Sequence, residues 1–167
     1  MAASGGSDPC EGASVGRVRA ALAAAGSGAE ITLLAEAARS AGDAAASLGC
    51  PLGAIVKSLV FVVGERPVMA LVAGDRRLDA EALATALGLD GVVERADAEL
   101  ARRASGFAIG AIAPVGHAEP LAIAIDASLG RFATLHAAAG HPRCVFATSL
   151  DELVRLTGGV VSAAISS

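Results

Sequence analysis

Ala54-Ile55-Val56-Lys57-Ser58-Leu59-Val60-Phe61-Val62-Val63, followed by Gly64-Glu65-Arg66-Pro67 and a second apolar run over 68–73, reads as an antiparallel β-hairpin. Side chains alternate across a strand, so Ile55, Lys57, Leu59, Phe61 and Val63 share one face, and Val56, Ser58, Val60 and Val62 share the other. Both faces are apolar, which predicts a central strand covered on both sides. Lys57 interrupts it. It is the only lysine of the chain, against twelve arginines. Where arginine supplies the ordinary surface charge, a lone lysine in an apolar strand suggests a compact donor set at a pocket, with a pKa sensitive to burial. The alternative is a lysine whose stem packs while its head reaches water.

Outward from the hairpin, short helices are expected over 17–25, from Ser40 or Asp43 to Leu48, over 79–87, 97–104 and 150–157. Asp79 and Thr148 or Ser149 serve as N-caps, and Gly49, Gly88, Ser105-Gly106 and Gly158-Gly159 as stops. Further strands are expected over 30–34, 92–93, 121–126, 132–138, 144–147 and 160–161. There is no regular βαβ period and no internal repeat. The pattern predicts an α+β fold, a mixed and largely antiparallel central sheet with short peripheral helices. Residues 1–14 are small and polar and are expected to form a disordered leader, with one domain over 15–167.

The chain has 167 residues and a net charge of −4, which argues against non-specific polyanion binding. Three cysteines, Cys10, Cys50 and Cys144, are expected to be reduced thiols, and the chain is expected to be cytoplasmic with no membrane span. His136, His141 and Cys144 form the one tight group of potential metal ligands. No CxxC pair or HExxH helix supports them, so no metal and no cofactor is expected. A P-loop, a dinucleotide fingerprint and a Gly-x-Ser-x-Gly elbow are all lacking. The densest glycine segment, 106–116, offers backbone N–H groups that can approach a ligand closely. Gly140-His141-Pro142-Arg143 is a second glycine turn, carrying a titratable group and a cation.

Taken in order, AIVKSLVFVV, GFAIGAIAPVG and AAGHPRCVFATSLDELVRLTGG resemble the YbaK/ProX family of aminoacyl-tRNA deacylases, which is related to the editing domain of bacterial prolyl-tRNA synthetases. The resemblance covers roughly residues 17–162. Gly106, Phe107, Gly110, Ile112, Pro114 and Gly116 match the glycine-loop pattern, and Lys57-Ser58 matches the strand lysine with its small hydroxyl neighbour. The resemblance implies trans-editing: hydrolysis of a small wrong amino acid (alanine, cysteine, 2-aminobutyrate or serine) from mischarged tRNA, foremost tRNA(Pro), with a prolyl-tRNA synthetase as a further partner and no role for DNA. Lys57 falls at the family's functional lysine. Gly110 falls in the loop lining the amino-acid pocket, and Gly140-His141 in the second pocket-lining turn.

On this reading Lys57, Gly110 and His141 are the catalytic candidates. Histidine titrates near neutrality as a class, which makes His141 the one substitute for a protein base. Ser58, Phe107, Ala111, Ile112, Pro114, Ala139 and Gly140 are the substrate-binding candidates. Arg76, Arg77, Arg102, Arg103 and Arg143 are candidate phosphate contacts. Two readings from other classes compete: a non-catalytic module that binds aminoacyl-tRNA or a synthetase, and a hydrolase of small aminoacyl esters.

Overall fold

A computed structural model describes residues 8–167. Five short helices surround one mixed sheet. The helices are α1 (Ala13–Ala24), α2 (Ala41–Leu48), α3 (Ala80–Ala86), α4 (Ala98–Ser105) and α5 (Leu150–Thr157). The strands are β1 (Ile31–Leu33), β2 (Ile55–Val63), β3 (Arg66–Ala73), β4 (Val93–Arg95), β5 (Ala122–Asp126), β6 (Leu135–His141), β7 (Cys144–Thr148) and β8 (Val160–Ser162). Their order is β1-β7-β6-β2-β3-β5-β8, with β4 added to β2. Antiparallel pairs join β1 to β7, β2 to β3, β2 to β4 and β6 to β7, and parallel pairs join β2 to β6, β3 to β5 and β5 to β8. This is the α+β sheet that the sequence predicts, and β2 lies at its centre.

The helix ends follow local chemistry. The side chains of Ser40, Asp79, Asp97 and Ser149 accept backbone N–H groups in the first turns of α2, α3, α4 and α5. Each satisfies a donor that the helix itself leaves unpaired. The two faces of β2 and β3 feed separate apolar layers. Val56, Val60, Met69 and Leu71 join the larger core with Phe107 and Phe146, while Val68, Ala70 and Val72 pack with Leu83 and Ile165.

Three expectations are corrected. The leader is structured from Asp8 onward: a 3-10 turn over Pro9–Glu11 buries Cys10, and α1 begins at Ala13 rather than 17. Val15 is buried as well as Val18 and Leu22, so the apolar face of α1 reaches into the stretch read as leader. Residues 1–7 of that stretch lie outside the described residues. Cys10 and Cys144 are not separate thiols but a disulfide across 134 residues, with Cα atoms 5.9 Å apart. Cys50 is the free cysteine, its thiol pushed up by burial. Finally, the strand expected over 132–138 runs from Leu135 to His141. The preceding residues form a 3-10 turn, Ala127–Arg131, capped by Asp126. Among the described residues no helix is long and apolar enough to cross a membrane.

Candidate active site

A break in sheet pairing creates the pocket. One edge of β2 is paired along its length by β3, but the other edge is shared. β6 pairs it only at Ile55 and Val56, and β4 only from Phe61 to Val63. Between them the edge has no strand partner, although the Val60 carbonyl accepts the Ala96 N–H at 3.2 Å. β6 leaves β2 where its own register shifts between Ala138 and His141. Gly140 occupies that shift with φ +94, a left-handed conformation that side chains rarely adopt. A cavity of about 280 Å³ fills the gap, bordered by α2, the start of α4 and the 106–116 loop.

Lys57 lines this cavity, and its ammonium donates to the Arg76 carbonyl at 2.6 Å. Burial pulls its pKa below the usual lysine value, with Arg77 adding to the fall while Asp75 and Asp126 oppose it. Gly110 also lines the cavity, with φ +90 and open space where a Cβ would stand. Its amide takes no partner among the described residues. Ser58, Ile112 and His141 complete the sequence-predicted residues that the fold brings together. The Ser58 hydroxyl is buried without a hydrogen-bond partner. An orphaned buried hydroxyl costs about 1–3 kcal/mol. Ser58→Ala is therefore expected to hold or raise the melting temperature; a fall in calorimetry would show that the hydroxyl is satisfied.

The Arg143 N–H donates to the His141 Nδ1 at 3.1 Å, which requires that nitrogen to be the unprotonated one. In the neutral ring the proton then sits on Nε2, which can donate.

Phe107, Ala111, Pro114, Ala139 and Gly140 are placed behind the wall rather than on it. Phe107 is 1% exposed, with the Arg17 guanidinium 4.9 Å from its ring centroid and the His117 ring edge-on at 6.4 Å. A Cβ on Gly140 would meet Ser14 O at 3.0 Å and Phe107 at 3.1 Å. These residues shape the glycine loop by packing and do not touch the cavity. Of the five candidate arginines none lines it. Arg102 and Arg103 lie exposed in the last turn of α4, Arg143 Nε donates to the Leu34 carbonyl at 3.0 Å, and Arg76 and Arg77 stand in the turn that receives Lys57.

Arg39, Arg95 and His136 also line the cavity; the sequence singles out His136 only as a potential metal ligand and gives no sign of the two arginines. Arg95 is paired with Phe61 across β4 and β2 and so shares the Lys57 face of the sheet, and His136 is likewise paired with Ile55. Burial lowers the His136 pKa. Only the pairing of β4 with β2 could have revealed Arg95, and that is not written locally in the sequence. Among the described residues no carboxylate lines the cavity, and no three His, Cys, Asp or Glu side chains are grouped to hold a metal. The Cys144 sulfur is bonded to Cys10, which removes a thiolate from that part of the wall.

This is a pocket with cations and apolar walls, lined also by a glycine whose amide has no partner among the described residues, suited to an anionic ligand bearing a small uncharged group. A family model of the aminoacyl-tRNA editing domain matches residues 35–156, a span that contains every residue just placed on the wall. The chain belongs to the aminoacyl-tRNA editing domain family. Over 78 residues it is 40% identical to a proline–tRNA ligase of Geobacter sulfurreducens, covering 47% of this chain and 14% of the ligase. Over 74 residues it is 40% identical to a proline–tRNA ligase of Nitratidesulfovibrio vulgaris, covering 44% of this chain and 13% of that one. The chain thus matches a small part of these curated relatives. A crystal structure described as a candidate trans-editing enzyme for prolyl tRNA synthetase superposes with a TM-score of 0.84 at 38% identity, covering 90% of this chain and 96% of the other.

Proposed function

We propose that this editing domain is a trans-acting deacylase that removes a small wrong amino acid from mischarged tRNA(Pro). The observation that carries the proposal is the sole lysine, partly desolvated, on the wall of a cavity with no carboxylate among its described lining residues, which Gly110 also lines. The similarity to prolyl-tRNA ligases and to the trans-editing candidate supports the choice of tRNA.

An aminoacyl ester is already activated, so hydrolysis mainly needs position and charge stabilisation. Water attacks the ester carbonyl carbon, negative charge develops on the carbonyl oxygen, and the bond to the ribose oxygen breaks. The ribose oxygen leaves with a proton, and the amino acid departs as its carboxylate. Lys57 and the Gly110 amide supply positive charge and a donor for the developing oxyanion. His141, with its proton on Nε2, acts as a further donor. The neighbouring ribose hydroxyl assists the attacking water. Small side chains on the walls, Ala44, Ala101, Ala137 and Ala138, leave room for a small aminoacyl group.

Arg39 and Arg95 are exposed at the cavity, and neither is in an ion pair among the described residues. They take the phosphates near the tRNA 3′ end, ahead of the five arginines predicted from sequence. Arg39→Ala combined with Arg95→Ala is expected to raise KM for aminoacyl-tRNA and to flatten the salt dependence of kcat/KM by about 1–2 in log–log slope. An unchanged slope would remove both arginines from the interface. The function itself is tested by comparing alanyl-tRNA(Pro) with alanine methyl ester at rising salt. Faster, salt-sensitive hydrolysis of the tRNA ester is expected. Equal, salt-insensitive rates would identify a hydrolase of small esters instead.

A further inference from the structure

The acceptor that holds Lys57 is a single backbone carbonyl, Arg76 O, in the turn that follows β3. A turn carbonyl can aim an ammonium only if the turn itself is fixed, and this one is tied down by side-chain and backbone groups that do not line the cavity. Asp126, fully buried at the end of β5, accepts the Ala73 N–H at 3.1 Å on one oxygen. Its other oxygen accepts the Ser128 N–H at 2.9 Å and the Ser166 hydroxyl at 2.7 Å. Arg131 grips Asp75 with two nitrogens, at 3.0 and 2.7 Å, while its Nε donates to the Ser128 carbonyl at 2.7 Å. Arg77 and Ser167 exchange backbone hydrogen bonds of 3.0 Å in both directions, and the Asp79 N–H donates to the Ile165 carbonyl at 2.7 Å.

Two glycines make room for this scaffold. A Cβ on Gly53 would stand 2.8 Å from Phe132 and 2.9 Å from both Arg131 and Asp75, and one on Gly74 would overlap the Leu52 carbonyl. The turn is therefore held at residues 73, 75, 77 and 79, on both sides of the carbonyl that receives Lys57.

We infer that Asp126, Arg131 and the segment Ile165–Ser167 form a positioning device for Lys57, fixing the Ala73–Arg77 turn so that the ammonium is presented to the cavity in one pose. None of the three lines the cavity; Asp126 also acts on the ammonium by its charge, while the geometric hold runs through Arg76 O, so they are positioning residues. The inference rests on the deacylase reading for its consequence in catalysis, but the pose of Lys57 can be measured without any reaction.

Because Lys57 is the only lysine, protein made with ¹³Cε-lysine gives one side-chain resonance by NMR. Arg131→Gln and Ser166→Ala alter exposed or half-buried positions, so both variants should fold. In each, Lys57 is expected to gain freedom, its two Hε shifts to merge and its titration to move up toward that of a solvated lysine. With the mischarged tRNA, kcat is expected to fall roughly tenfold or more for Arg131→Gln at unchanged KM, since small misplacements at a reacting centre are costly. A Lys57 signal that titrates as in the wild type in both folded variants would overturn the inference. So would a kcat that falls only in proportion to the unfolded fraction. A shifted Lys57 signal in a protein whose wild type hydrolyses no aminoacyl ester would keep the positioning device and reject the deacylase reading.

Discussion

Replacing Lys57 by alanine is expected to lower kcat for the mischarged ester by roughly 10²–10³-fold while leaving the chain folded, the scale set by losing one donor to a developing oxyanion. The fold should tolerate the change because burial penalises the ammonium, so its removal relieves a desolvation cost. The sign of the pH effect follows. A lysine with a lowered folded pKa binds fewer protons folded than unfolded between its depressed value and the ordinary value of about 10.4. In that window wild-type stability gains with rising pH from this group, and Lys57→Met should lose that contribution. Lys57→Arg should not restore the rate, because a planar guanidinium cannot place a compact charge at the same carbonyl. Wild-type turnover in Lys57→Ala would exclude the proposed mechanism.

The second large effect is expected at Phe107. Its ring lies in the main core beneath the glycine loop, so Phe107→Ala should cost about 3–5 kcal/mol of stability. Denaturant unfolding would show this as a lower midpoint. A ring that touched substrate, as the sequence suggests, would instead raise KM and leave the midpoint alone. The two outcomes separate wall from support.

That contrast shows what the sequence carries. Local chemistry is legible: Ser40, Asp79 and Ser149 announce helix starts, and Gly49, Gly106 and Gly158 end helices in the left-handed conformation. The alternation around Lys57 correctly makes β2 central. At the site, Lys57, Ser58, Gly110, Ile112 and His141 are readable because three short motifs carry them. Non-local features are not. Arg95 reaches the cavity only because β4 continues the edge that β6 abandons, and Cys10 meets Cys144 only because α1 packs along β6 and brings the preceding turn to β7. Motif membership also does not separate a residue that lines a pocket from one that packs behind it, which is why the sequence alone puts Phe107, Pro114 and Gly140 on the wall. The Arg143 N–H that sets the His141 tautomer is a product of turn geometry, invisible in the string of residues.

The most direct measurement is deacylation by the wild-type protein of tRNA(Pro) charged separately with alanine, cysteine, serine, 2-aminobutyrate and proline. The account predicts rapid loss of at least one of the four small amino acids with the prolyl ester spared. A missing or extra methylene is worth only about 1–3 kcal/mol, so partial activity on neighbouring small residues is also expected. Binding of these tRNAs without hydrolysis of any of them would contradict it, and would make the domain a sensor of charged tRNA rather than an editor.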